Sequence, residues 1–162
     1  MANTQSMCTS FMSELMYGYH QFGQPTLTSR GSLTAPTNDT FKGALYLASA
    51  TINASTTAYS STGEVTGTGY TAGGVTVTNA TPPTYTNASS TAGVAYWTPS
   101  ASLTYTTVTL TTAFDTVLIY NSTQGNRAVS VHTFGSQTIT AGTFTLTMPS
   151  NTTTTALLRL AT

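Results

Sequence analysis

Charge is what this sequence has least of. Asp, Glu, Lys and Arg together make up 5% of the 162 residues, four basic and four acidic, and the formal net charge is zero. Ordinary soluble domains carry about a quarter of their residues as charges. A chain so poor in basic residues offers no electrostatic footprint for nucleic acid or an anionic membrane surface. It holds one cysteine, Cys8, so no internal disulfide framework can form, and the expected role of that thiol is a small buried apolar side chain. No apolar run is long enough to span a bilayer, and the first residues lack the basic and apolar regions of a secretory signal.

Chemistry is equally thin. His20 and His132 lie far apart, with no cysteine or carboxylate at ligand spacing, so neither a metal nor another cofactor is expected. His132 alternates with Val129 and Val131 and is expected to face solvent or a partner. Serines abound, but no Gly-x-Ser-x-Gly elbow is present, and four scattered acids do not pair for acid–base work. The chain reads as a non-enzyme.

What is abundant is threonine, about a quarter of the residues. Threonine favours strands, and its hydroxyl keeps an exposed face soluble without charge. Apolar and β-branched runs separated by Gly, Pro and Asn turns recur from Phe41 onward, the pattern of an all-β, single-domain β-sandwich of Greek-key or jelly-roll type over residues 41–162. Its expected core is Phe41, Leu45, Leu47, Val75, Val77, Val117, Ile119, Val129, Val131, Phe144, Leu146 and Leu158. Leu103–Leu110 and Ala113–Tyr120 read as two neighbouring strands, residues 128–134, 138–140 and 143–148 as three more, and residues 84–92 as a surface loop. Uncharged edge strands lack lysine gatekeepers and are safest against a partner.

Residues 1–40 read differently, as a short N-terminal helix followed by an extended arm. Cys8, Phe11, Met12, Leu15, Met16 and Tyr19 recur at helical spacing, Gly18 or Gly23 can end the helix, and Pro25, Gly31 and Pro36 keep the following stretch irregular. The most specific stretch is Glu64-Val65-Thr66-Gly67-Thr68-Gly69-Tyr70-Thr71-Ala72-Gly73-Gly74. It lacks the Gly-Lys-Ser/Thr of a phosphate loop and reads as a shaped structural loop. Tyr70, Tyr85, Tyr96, Trp97 and Tyr105 read as exposed aromatics that would suit a sugar-binding platform, a reading that leads to a glycan-binding adhesive module, although such rings are equally at home in protein interfaces and sandwich cores.

The Glu64–Gly74 run, with Cys8-Thr9-Ser10-Phe11, Glu14-Leu15, Phe41-Lys42-Gly43-Ala44-Leu45-Tyr46, Ala58-Tyr59, Leu118-Ile119-Tyr120-Asn121, Phe134-Gly135-Ser136 and Gly142-Thr143-Phe144, resembles the small all-β virion structural proteins of tailed bacteriophages. That resemblance implies a capsid decoration (cement) protein on the outer surface of the major capsid protein, made in the bacterial host cytoplasm. A tail, neck or head-fibre component is the alternative it leaves open. The implied partners are the major capsid protein and neighbouring copies of the chain, a homotrimer suiting local three-fold axes, with no nucleic acid and no membrane. Contact residues expected on this reading are Phe11, Met12, Met16, Tyr19, Arg30, Glu64, Tyr70 and Trp97.

Overall fold

A computed structural model describes residues 3–22, 37–78, 82–86 and 93–161. Among them are one short helix and two antiparallel sheets, so the chain is all-β. The expected arm falls mostly outside the described residues, and Arg30 with it.

The large sheet is built on one hairpin. Strand β6 (Leu103–Asn121) and strand β7 (Arg127–Leu146) pair along nearly their whole lengths, joined by the turn at residues 122–126. Gly125 and Asn126 supply the left-handed backbone of that turn (φ 67° and 61°), and the Asn121 side-chain oxygen accepts the amides of Thr123 and Gln124. Twenty extended residues would reach about 60 Å, wider than a domain of this length. Bulges resolve the conflict. The register shifts between Tyr105 and Val108 and again between Leu110 and Thr116, and Thr107 and Ala141 take positive φ (54° and 46°).

This corrects two expectations. Leu103–Leu110 and Ala113–Tyr120 are successive halves of one strand rather than neighbours, and Gly135 and Gly142 do not end strands. The intervening threonines keep enough strand propensity for the ladder to run on, and the glycines lie where its register shifts.

Strand β2 (Phe41–Leu47) pairs with the second half of β6, from Phe41 opposite Asn121 to Leu47 opposite Phe114, and strand β3 (Val75–Thr76) adds to its far side. Strand β1 (Ser6–Met7) touches β7 only at Val131 and Ser130. The small sheet has the order β4 (Thr84–Thr86), β5 (Val94–Trp97), β8 (Leu158–Ala161). Residues 84–86, expected in a loop, form a strand because β5 offers its edge opposite them.

Aromatic rings join the sheets: Trp97 of β5 meets Phe22 edge-on at 4.7 Å, and Phe22 stacks on Phe41 of β2 at 4.4 Å. Phe41, Leu45, Val77, Val117, Ile119, Val129, Val131 and Leu158 are buried as expected, with Leu47, Val75, Phe144 and Leu146 half-buried against them. No helix of the described residues is long and apolar enough to cross a membrane.

Candidate functional site

The helix α1 (Thr9–Met16) begins at Cys8, whose backbone is extended, and makes no side-chain cap. It ends in a glycine turn: Gly18 takes φ 72°, its amide donates to Leu15 and the Tyr19 amide donates back to Glu14. That turn sets which way the following residues point. Cys8 and Phe11 face the core, whereas Met12 and Met16 face outward beside Tyr17 and Tyr19. Met16 is 90% exposed and Tyr17 78%, an unusual share for large apolar side chains on neighbouring positions.

A buried polar network anchors this platform. Glu14, His20, Asp39 and Asn121 are all nearly inaccessible. Glu14 accepts from Arg127 Nη1 at 2.7 Å and lies 2.8 Å from His20 Nε2. Asn121 Nδ2 lies 3.1 Å from His20 Nδ1 and donates to Asp39 Oδ2 at 2.6 Å. Because the Asn121 oxygen is taken by the turn amides, its nitrogen is the group facing the imidazole; Nδ1 therefore accepts, and Nε2 carries the proton given to Glu14. Asp39 also receives the Gln21 amide and the Gln124 side chain. The Arg127 guanidinium caps the assembly 4.4 Å above the Tyr19 ring. Both imidazole nitrogens are thus occupied inside the fold, an arrangement that holds the helix against the β6–β7 turn. Folding brings to His20 two carboxylates, Glu14 and Asp39, that no sequence spacing marks.

Burial pushes the His20 pKa below the ordinary histidine range, an effect that Glu14 opposes but does not cancel. His132, half-buried and bonded to Ser130 at 2.8 Å, is pushed down to about 4 by the same cause. The unfolded chain takes up protons on both rings near pH 6.5, whereas the folded chain resists until lower pH. More protons on the unfolded state means stability that falls as pH drops through this window. The melting temperature should therefore decrease between about pH 7 and about pH 4.5, with a shallower slope in His132→Gln. An unchanged slope in that variant would remove His132 from the account.

The glycine-rich stretch is a second built feature. Gly67 and Gly69 lie against the Thr109 and Thr107 carbonyls, so close that a Cβ would come within 2.0 and 2.2 Å of them. The Thr109 amide donates to Thr68. The stretch thus runs beside the first half of β6 like an extra strand. The Glu64 carboxylate, buried, gathers it: the Tyr59 hydroxyl, the Tyr70 hydroxyl and the Gly73 amide each donate to it at 2.7 Å. Tyr70 also accepts the Leu45 amide, Tyr120 donates to the Gly73 carbonyl and Tyr105 to that of Gly43. These phenols are pushed up by burial first and then by Glu64, through a hydrogen bond to Tyr59 and Tyr70 and through its charge on Tyr105 and Tyr120, the last to about 12, so all remain protonated donors. The Cys8 thiol, likewise pushed up by burial to about 12, is inert as expected.

Of the expected contact residues, Met12, Met16 and Tyr19 are exposed, the first two on α1 and the third just after it. Phe11, Glu64 and Trp97 do not reach the surface: Phe11 and Trp97 pack on Phe22, and Glu64 binds the loop. Tyr70 is half-buried with its hydroxyl turned inward. The expected row of exposed aromatics is corrected in the same way, since Trp97 and Tyr105 are core residues and only Tyr85 projects well into solvent. Sequence reading missed Tyr17, Asn121 and Arg127. Tyr17 lies off the helical stripe, Asn121 lies 101 residues from His20 and 82 from Asp39, and Arg127 lies 113 from Glu14. No group of three or more His, Cys, Asp or Glu able to hold a metal occurs among the described residues. Comparisons with protein-family models, with curated proteins and with solved structures return no match.

Proposed function

We propose that this chain is a non-enzymatic virion structural protein, a capsid decoration protein that binds the outer surface of a major capsid protein and stabilises the shell. Its two sheets are read as the halves of a β-sandwich, with α1 and the segment after it as the docking element. The observation that carries the reading is the exposure of four large side chains close in sequence, Met12, Met16, Tyr17 and Tyr19, on and just after α1. Thioethers and tyrosines are the side chains that adapt to and anchor protein surfaces. Here they stand on a helix and the turn that follows it, tied to the fold through Glu14, Arg127 and His20, so docking would require little ordering of the site. The resemblance to tailed-phage virion proteins supplies the partner.

A cement protein acts by mass action: it binds the assembled shell and not the unassembled one, and so shifts the equilibrium toward the shell. The test is cryo-electron microscopy of particles that contain the protein. Density repeated over the capsid lattice is the expected result; density confined to the tail or one vertex would instead favour a tail, neck or fibre part. Met16→Glu with Tyr17→Ser changes two exposed side chains and should leave the melting temperature nearly unchanged. Incorporation into particles should drop at least about tenfold. Normal incorporation of this variant would exclude the helix face as the docking element.

A further inference from the structure

Among the described residues, the second half of β7 is a free sheet edge. β6 occupies one side of it, and β1 covers the other side only at Ser130 and Val131. In an antiparallel strand alternate residues direct their amides and carbonyls to opposite edges. Over Gly135–Leu146 about half of these groups therefore point away from β6, and among the described residues no backbone partner meets them. The Gln137 side chain reaches back to the Gly135 carbonyl, and the Ala141 amide bonds Thr109 of β6.

The usual protections of such an edge are lysines, prolines and covering elements. Between Arg127 and Arg159 there is no charged residue, and the first proline is Pro149. Thr138, Thr140, Thr143 and Thr145 project exposed hydroxyls, while Phe134, Ile139, Phe144 and Leu146 on the other face remain half-exposed at the rim.

We propose that the edge of β7 over Gly135–Leu146 pairs antiparallel with the same edge of a second copy of this chain, about a two-fold axis. A two-fold contact uses one patch twice, so the patch must tolerate itself. A charge-free threonine edge does: threonine set against threonine is a favourable cross-strand pair, and no like charges meet. The net charge of zero adds no long-range repulsion between copies. The bulge at Ala141 lies near the middle of the edge. An axis passing there sets the two bulges opposite one another and leaves extended flanks to pair. The half-exposed Phe134, Phe144 and Leu146 gain cover in the same step. This pairing is a property of the isolated protein and does not depend on the capsid reading.

The test is sedimentation velocity of the purified full chain over a concentration series, with hydrogen exchange on the same samples. The expected result is a reversible monomer–dimer equilibrium in which the amides of residues 135–146 exchange more slowly as concentration rises. Thr138→Lys with Thr140→Lys places like charges on both copies at exposed positions. It should weaken the dimer at least about tenfold while circular dichroism and melting stay those of the parent. Mixing it with Thr138→Glu/Thr140→Glu should restore a dimer. A monomer at every concentration, a trimer, or a dimer indifferent to the lysines would overturn the proposal.

Discussion

Replacing Glu64 with alanine is expected to lower stability by about 3 to 5 kcal/mol and the melting temperature by roughly 10 °C. Two hydroxyls and one amide converge on this carboxylate, all at 2.7 Å, from Tyr59, Tyr70 and Gly73. Hydrogen bonds to a charged acceptor are worth about 1.5 to 3 kcal/mol each and do not add fully, and donors left unpaired inside the fold bear a desolvation cost. The damage would spread through Tyr70, which also accepts the Leu45 amide from β2. Glu64→Gln keeps the volume and one acceptor oxygen, and hydroxyls can turn to receive its new amide protons, so it should cost about half as much. Tyr59→Phe removes one bond and should cost least, about 1 kcal/mol. Thermal melts of the three variants give the order, and hydrogen exchange at Gly73 and Leu45 locates the loss. A melting temperature nearly unchanged in Glu64→Ala would mean that the glycines alone hold the loop.

The second large effect is expected at Gly74, where alanine should cost about 3 kcal/mol or more. A Cβ there would sit 1.7 Å from the Gly43 carbonyl oxygen, and φ is +72°. The neighbour is backbone of β2 and cannot rotate away, so β3 must separate from β2 or the loop must move. Two companions separate the causes. Gly125 has φ +67° with nothing within 4 Å, so Gly125→Ala should register only the left-handed penalty, about 1 to 2 kcal/mol. Gly67 has no such φ, but a Cβ would come 2.0 Å from the Thr109 carbonyl, so Gly67→Ala reports close approach alone. If Gly74→Ala proved no worse than Gly125→Ala, close approach would not be the reason for glycine at that position.

Both effects lie in the stretch that stood out in the sequence, yet their cause did not. Four glycines around a tyrosine mark a shaped loop because glycine alone accepts left-handed backbone and close contact. Nothing local says that the partners are the carbonyls of Thr107, Thr109 and Gly43, or that Glu64 is the buried hub. The helix is similar. Its residues were legible from the three- and four-residue spacing, but Phe11 with Leu15 and Met12 with Met16 follow the same spacing on adjacent faces. Which pair turns inward depends on the neighbours met after folding.

The sequence by itself determined the class of the fold: threonine and β-branched residues favour extended backbone, period-two patterning places the core side chains, and a shortage of charge leaves surfaces and edges able to associate. It also determined the turn at residues 122–126, which depends on residues adjacent in the chain, and narrowed the end of the helix to Gly18 or Gly23. Only the tertiary structure decided that two long strands run unbroken through bulges, that Trp97 and Glu64 lie inside, and that Glu14 meets Arg127 across 113 positions. Those outcomes rest on contacts between distant segments, whose energies no local pattern carries.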